Sequence, residues 1–345
     1  MEKFLYYSKR FFLKKYFLLF VVLTFQNVFS QPEFSSINTM PGAFSRMGFG
    51  ARGIGMGNAM SSITEGHLVS YYNPALSVFQ ENNSVQTSYT FLSLDRSLNF
   101  LNFTRRFDFY SAKDSLQNPR KPRSTAGISF GLINAGVSNI DGRDRQGMKT
   151  EELSTSENQF FVGLALKFSE RFAAGLAAKI FYYKLYEDVS SSGVGLDIGL
   201  LYKISDRFNF SFVVCDINSK YQWSTSNIYG QEGRDLDFKF PNLRKFGLSY
   251  RNNDYGIVGS IELENSNAQS NVIRAGVEYN LIEKFYLRGG IDQFNISNGD
   301  TPMKPALGFS YFKLFGDILL GVDYAFMVEQ YSSSDRHVVG LNINF

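Results

Sequence analysis

The stretch GVGLDIGLLYKI at residues 193–204 decides the fold class. Large apolar side chains take every second position from Val194 to Ile204, while glycine or charged residues, such as Asp197 and Lys203, take most of the positions between them. Successive side chains on a β-strand point to opposite faces. The segment therefore predicts a strand with one oily face and one polar face.

The same alternation recurs from about residue 84 to the C-terminus, for example at 160–168, 273–281, 318–326 and 339–345. Segments of roughly 9 to 12 residues are long enough to cross a bilayer at a tilt, whereas strands of soluble proteins average roughly five to six. About fourteen such segments predict an all-β chain that forms a transmembrane antiparallel β-barrel. The alternative is a soluble sandwich whose core buries the same apolar faces.

The connections between these segments alternate between short and long, as in membrane barrels with tight periplasmic turns and longer external loops. The short connections lie at 169–171, 205–206, 252–254, 282–283 and about 314–316, and the long ones near 134–157, 187–192, 217–244, 264–270, 293–304 and 327–335. One link on the short-turn side, from about 108 to 122, is long and basic.

Composition and the N-terminus indicate an exported chain. Phe and Tyr supply 35 and 20 residues and Pro only 8, which favours long strands. The net charge of +3 is scattered, so no nucleic-acid partner is expected, and the single Cys215 excludes an internal disulfide framework. Residues 1–30 have the layout of a signal peptide: basic residues, a short apolar run, then Val28 and Ser30 before a cleavage point. We expect residues 31–83 to form an N-terminal segment and residues 84–345 the barrel.

The N-terminal segment contains GFGARGIGMGNAMSSITEGHLVSYYNPALSVF at 48–79, which we call the hatch. Its glycines allow close backbone approach, and its apolar residues need a surface on which to be buried. We expect it to fold as a short hatch inside the barrel lumen. A phosphate-binding loop is not indicated, because no strand precedes the glycines and no suitably placed lysine follows.

The polar faces predict ion pairs inside the barrel. If the turn at 282–283 is tight, Glu278 lies opposite Arg288, and Arg274 lies opposite Asp292. We interpret these pairs as part of a partly hydrated wall that carries both signs of charge. Such a balanced wall argues against a simple ion-selective porin.

Several motifs carry a resemblance to a known family. GARGIGMGNA at 50–59, YYNPAL at 71–76, FLSLDRSLNF at 91–100 and FPNLRKFGLSY at 240–250 resemble the PorV/PorQ branch of FadL-like outer-membrane proteins, of the Bacteroidota type. EGHLVS at 65–70 departs from the short acidic stretch usual in that branch. The C-terminal strand ending in Phe345 resembles the signal read by the barrel-assembly machinery, which would insert the chain among outer-membrane lipids.

The resemblance implies two functions. One is a role in protein export by the type IX secretion system or in envelope organisation, with secretion-system subunits or cargo as partners. The other is passive transport of hydrophobic small molecules across the outer membrane. The hatch residues Tyr71, Tyr72, Asn73, Pro74 and Phe79 are candidates for lining a ligand pocket, or else they pack the hatch.

The longest predicted external loop, 218–244, offers aromatic residues for a docking partner, or for a girdle at the barrel mouth. These are Tyr221, Trp223, Tyr229, Phe238 and Phe240. An enzyme is not predicted, because His67 and His337 have no recognisable nucleophile and acid partners. No catalytic residue, cofactor or metal site is expected.

Overall fold

The computed structural model describes residues 35–67, 70–110, 122–186 and 189–345, with only the backbone at 227 and 229. The expected signal peptide and part of the basic 108–122 link lie outside these ranges. The strands are β1 (Ser84–Phe91), β2 (Arg96–Phe109), β3 (Ser124–Arg143), β4 (Lys149–Lys167), β5 (Phe172–Tyr186), β6 (Val189–Lys203), β7 (Phe208–Ile217), β8 (Lys220–Ser224), β9 (Asp235–Lys239), β10 (Leu243–Asn252), β11 (Ile257–Ser266), β12 (Asn271–Ile282), β13 (Phe285–Asn295), β14 (Lys304–Phe315), β15 (Ile318–Met327) and β16 (Arg336–Asn344). The α-helices are α1 (Gly50–Gly55) and α2 (Ser226–Tyr229), and 3-10 helices span Ser36–Thr39, Phe44–Arg46, Pro74–Phe79 and Gly230–Glu232.

Fourteen of these strands, all except β8 and β9, form a closed antiparallel barrel. Neighbours in sequence pair in order, β7 pairs with β10, and β1 pairs with β16 to close the ring. The backbones of Asn83 and Phe345 exchange two further hydrogen bonds at the seam. Closure satisfies the backbone groups that an open sheet edge would leave unpaired in lipid. The predicted fold and its strand number are confirmed.

The oily rows lie on the outside of the barrel. Val194, Leu164 and Leu307 are 64%, 59% and 65% exposed, whereas Asp197 on the opposite face of β6 is 2% exposed. No second sheet covers the apolar rows of the described strands. The soluble-sandwich alternative is therefore wrong, and these rows form the surface that contacts hydrocarbon. None of the described helices is both long and apolar enough to cross a membrane.

The predicted short connections are confirmed, since β4–β5, β6–β7, β10–β11, β12–β13 and β14–β15 are all joined by tight turns. The predicted external loop at 134–157 is wrong. There β3 and β4 continue as paired strands to Arg143 and from Lys149, and only a short turn joins them. The predicted link at 217–244 also contains two strands and a short helix.

The hatch contacts inward-facing residues of strands on opposite sides of the barrel. Its helix α1 contacts β13–β16 and β1, and its 3-10 helix Pro74–Phe79 contacts β2–β6. Contact with both sides places the hatch across the lumen. A Cβ atom added to Gly276 would lie 2.3 Å from the carbonyl O of Met56, and one added to Gly290 would lie 2.3 Å from the amide N of Gly57. Glycine is therefore required where the hatch backbone touches the wall.

The wall is interrupted where β7 meets β8. Asp216 and Asn218 have φ angles of 60° and 58°, and the β6–β7 register shifts beside them. A Cβ atom on Gly193 of β6 would lie 2.0 Å from the carbonyl O of Lys220. The chain therefore crosses the inner face of β6 as it leaves the wall. The β8–β9 hairpin continues from there and pairs with β6 through Ser191 and Ser192.

Candidate functional site in the barrel lumen

One buried ion cluster links the hatch to β12 and β13. The Arg52 guanidinium of α1 donates two hydrogen bonds to the Glu278 carboxylate, at 2.8 Å each. Arg288, directly opposite Glu278 across the β12–β13 pair, donates to the same carboxylate at 2.5 Å. All three side chains are buried. Two cations therefore share one carboxylate, and the loss of that carboxylate would leave both unpaired.

A second cluster is centred on Asp292. Arg274 donates to its Oδ1 at 2.7 Å, and the hatch residue Asn58 donates to its Oδ2 at 2.8 Å. The hydroxyl of Tyr72 donates to the Asn58 side-chain oxygen at 2.6 Å and accepts from the Phe49 amide at 2.9 Å. A chain of hydrogen bonds thus runs from the hatch interior to the wall. Tyr72 acts in it as a polar linker as well as an apolar side chain.

A third cluster lies on the other side of the lumen and consists of wall residues. Lys179 of β5 is 2.7 Å from Asp197 of β6 and 2.9 Å from Asp216 at the interruption of β7. Its Nζ also lies 4.9 Å from the ring centroid of the hatch residue Tyr71. All three charged side chains are almost fully buried. The cluster connects the interrupted part of the wall to the hatch.

Asn73 and Pro74 position the start of the 3-10 helix. The Asn73 side chain accepts from the Ala75 amide at 2.9 Å and donates to the Ser61 carbonyl at 2.8 Å. Gly199 and Gly175 leave space for Asn73 and Pro74, because added Cβ atoms there would lie 2.1 Å from Asn73 Oδ1 and 2.6 Å from the Pro74 carbonyl carbon. Both residues therefore act in packing the hatch against β5 and β6.

The close approach between Gly290 and the hatch predicts a position-specific effect. We expect Gly290→Val to destabilise the folded protein by about 1–3 kcal/mol, because the new side chain must displace hatch backbone. Gly289→Val is the matched control, since a Cβ atom there meets nothing closer than Leu307 at 3.7 Å. The measurement is urea unfolding in detergent, followed by heat-modifiable gel migration. Equal effects of the two substitutions would contradict the close contact.

The hatch aromatics do not form one common pocket. Tyr71 and Tyr72 border a cavity of about 30 Å³, whose lining also includes the charged side chains of Lys179 and Arg274. Phe79 lies in a separate cavity at the short-turn end. Among the described residues, the expected apolar lining by these three aromatics is therefore not assembled in this structure.

The aromatic residues of the predicted docking loop divide between two environments. Tyr221 is buried and packs on Phe181 and Phe240, with ring centroids 6.2 Å and 5.0 Å away. Tyr221 is therefore not a surface anchor, because β8 turns it into the barrel mouth. Trp223 packs on Tyr183 and Tyr221 and is partly buried. Phe238 is exposed, and the side chain of Tyr229 lies outside the described part.

The described lumen residues form ion pairs, hydrogen bonds and packing contacts. Among the described residues, no group of three or more His, Cys, Asp or Glu side chains is arranged to hold a metal ion. His67 stacks on Phe312 with ring centroids 4.2 Å apart. Burial, and then the positive charges of Arg52 and Arg288, lower the pKa of His67 to about 3, so its ring is neutral at physiological pH.

Comparison with known proteins gives structural neighbours only. No family model and no curated protein matches the chain. The toluene transporter TodX of Pseudomonas putida superposes with a TM-score of 0.54 and 13% identity, over 86% of this chain and 96% of TodX. A TodX mutant described as a monoaromatic hydrocarbon channel gives 0.57 and 13%, over 86% and 97%. A Pseudomonas aeruginosa FadL homologue gives 0.51 and 11%, over 86% and 98%.

This chain has the fold of FadL-type outer-membrane barrels. The fold points to the outer membrane, and two of these neighbours are named as a hydrocarbon channel and a toluene transporter. At these identities the likeness establishes the architecture alone.

The sequence analysis did not identify two residues of the buried ion clusters, Arg52 and Asp216. Arg52 lies within GARGIGMGNA, where the glycines drew attention, and its partner is 226 residues away. Asp216 lies near the end of β7, where the alternation directs the neighbouring Cys215 inward, but the bulge turns Asp216 toward Lys179. The one sequence feature that could have indicated a buried partner for Arg52 is that it is a lone cation within an otherwise apolar, glycine-rich segment.

Proposed function

We propose that this chain is an outer-membrane docking barrel of the PorV/PorQ type that serves protein export, with secretion-system subunits or cargo as partners. The observation that carries the proposal is the β3–β4 hairpin. Its pairing with β2 ends at Val137, opposite Arg96, and its pairing with β5 ends at Ser156, opposite Lys184. From Ser138 to Thr155 the described hairpin therefore has no backbone ladder with β2 or β5, and it contacts β5 there through the side-chain hydrogen bonds of Thr155 with Lys184 and of Glu151 with Tyr186.

The part of the β3–β4 hairpin beyond the ladders with β2 and β5 offers two strand edges to a partner. Unpaired edges bind an added strand through main-chain hydrogen bonds, which is a common mode of protein recognition. Backbone pairing between β3 and β4 continues to Arg143 opposite Lys149, and exposed ion pairs such as Lys149 with Asp141, at 2.9 Å, add to it. The hairpin is thus both ordered and accessible at the end opposite the short turns.

The hatch-filled middle of the lumen also supports docking over solute passage. The hatch is fixed to β12 by the buried ion pair of Arg52 with Glu278 and to β13 by the hydrogen bond from Asn58 to Asp292. The cavity beside Tyr71 and Tyr72 is about 30 Å³. A small-molecule site generally needs roughly 300–1,000 Å³ with mostly apolar walls. Docking of a partner protein on the outside of the barrel is therefore favoured over flow of a solute through the lumen.

The test is deletion of the hairpin tip. We expect a chain in which residues 140–151 are replaced by a two-residue turn to fold as a heat-modifiable barrel but to lose secretion-system subunits that co-purify with the intact chain from its native membrane. Replacing 226–233, the tip of the β8–β9 hairpin, is the control and should leave co-purification intact. Secretion subunits that remain after the first deletion, or none with the intact chain, would contradict the proposal.

Passive transport of hydrophobic small molecules is the second candidate function. Two observations favour it: the neighbours named for toluene and monoaromatic hydrocarbons, and the aromatic cluster beneath β8–β9, where Phe181, Tyr221 and Phe240 meet. This function requires that the cluster opens to admit a ligand. Bound aromatic or fatty molecules in extracts of the natively purified chain, without secretion subunits, would favour transport.

A further inference from the structure

A basic cavity of about 410 Å³ lies at the short-turn end of the barrel, on the opposite side of the hatch from the mouth. We call it the vestibule. Five cationic side chains line it, against the two carboxylates of Glu65 and Glu81. The cationic residues are Arg106, Lys167, Lys203, Arg251 and Lys284. They come from β2, β4, β6, β10 and the β12–β13 turn, so the barrel collects them from around its circumference.

The vestibule cations face the aqueous lumen and not the lipid. Four of the cations lie at inward positions of the strand alternation, near the short-turn end. Each is half-buried and comes two residues after a buried inward residue of the same strand. The cations are Arg106, Lys167, Lys203 and Arg251, and the buried residues before them are Thr104, Ala165, Leu201 and Ser249. Each cation is partly shielded from water. Like charges held close together in such surroundings repel one another, and an anion relieves that repulsion.

Lys203 is the vestibule cation with the weakest pairing to carboxylates of the described chain. Arg106, Lys167, Arg251 and Lys284 each have a carboxylate within 3.5 Å. Within the described part of the chain, Lys203 has no carboxylate within 4.0 Å. Its Nζ lies 4.6 Å from the ring centroid of Phe79, which holds the ammonium over the cavity.

We propose that the vestibule binds a soluble multivalent anion, a small solute that carries phosphate or carboxylate groups, with Lys203 as its main contact. The volume lies within the range of roughly 300–1,000 Å³ that small-molecule sites occupy. A multivalent anion matches a cavity lined by five cationic side chains, of which Lys203 has no carboxylate partner among the described residues. The lumenal direction of the side chains brings the ligand from the aqueous side. The site lies at the other end of the barrel from the β3–β4 hairpin and is independent of either proposed function.

The test uses inorganic pyrophosphate as the probe and the full chain in detergent, measured by isothermal titration calorimetry at low ionic strength. We expect saturable binding with a Kd of about 1 mM or tighter, weakened by added salt. Lys203→Gln should weaken it about tenfold through loss of one charge-assisted contact, and Lys203→Arg should retain it. Neutral glucose should not bind.

Lys313→Gln is the matched control. Lys313 also lies near the short-turn end with its Nζ over a ring, 5.0 Å from the Phe315 centroid, but it points outward from β14. Its substitution should leave pyrophosphate binding unchanged. If Lys203→Gln does not fold, Lys167→Gln provides the same comparison. Absence of saturable binding by the unaltered chain, or equal weakening by the inner and outer lysine substitutions, would overturn the proposal.

Discussion

Replacing Glu278 by Ala is expected to destabilise the folded barrel by about 3–5 kcal/mol, because breaking a buried ion cluster leaves its remaining charges unpaired. Here the orphaned groups are the two guanidiniums of Arg52 and Arg288. The hatch should also become sensitive to protease, since Arg52 is its main ionic contact with β12. Urea unfolding in detergent and limited proteolysis of the intact chain measure the two effects.

Glu283→Ala is the control for this substitution. Its side chain is 88% exposed in the turn after β12, and its one ion pair among the described residues is with Lys284, at 3.5 Å, so its loss should have little effect on stability. The pair Arg52→Ala and Glu278→Ala should be less destabilising together than the sum of the single changes, because the two residues are coupled. Additive effects, or an unchanged unfolding midpoint for Glu278→Ala, would show that the cluster does not hold the hatch.

The second large effect is expected for Lys179→Ala, again about 3–5 kcal/mol. This change leaves the carboxylates of Asp197 and Asp216 buried without their shared cation. Because Asp216 sits at the interruption between β7 and β8, the loss should also loosen the β8–β9 hairpin. Urea unfolding reports the stability, and hydrogen exchange at 216–224 reports the local opening.

Lys184→Ala is the matched comparison for Lys179→Ala. Lys184 lies on the same strand, β5, but on the exposed outer side. Adding Asp197→Asn and Asp216→Asn to Lys179→Ala should recover part of the lost stability, because neutral amides cost less to bury than unpaired carboxylates. If Lys179→Ala behaves like Lys184→Ala, the central cation is not required for the interrupted wall.

The barrel wall was predictable because the sequence patterns that specify its strands and turns are local. Alternation at 193–204 encodes two faces within one strand, and a tight turn at 282–283 sets Glu278 opposite Arg288, as found. The error at 134–157 has a physical reason. Beyond the lipid, neither strand face needs to be apolar, so the alternating pattern fades while backbone pairing between β3 and β4 continues.

The lumen was less predictable because its contacts join distant parts of the chain. A lone Arg52 in a glycine-rich segment does not indicate which carboxylate it meets, and the positive φ angle of Asp216 is not encoded by hydrophobic periodicity. The vestibule likewise depends on strand tilt and ring closure, which bring Lys167, Lys203 and Arg251 together from separate strands. No single segment contains that information.

The long span of the hatch contacts bears on how the molecule is assembled. The hatch precedes its partners in the chain, and Arg52 and Asn58 bind residues 226 and 234 positions later. Contacts of such high sequence separation form slowly, since the intervening chain must be ordered before they are gained. The glycine-rich hatch therefore remains without its contacts to β12 and β13 until those strands have folded. We therefore expect the hatch to enter the lumen before the β1–β16 seam closes.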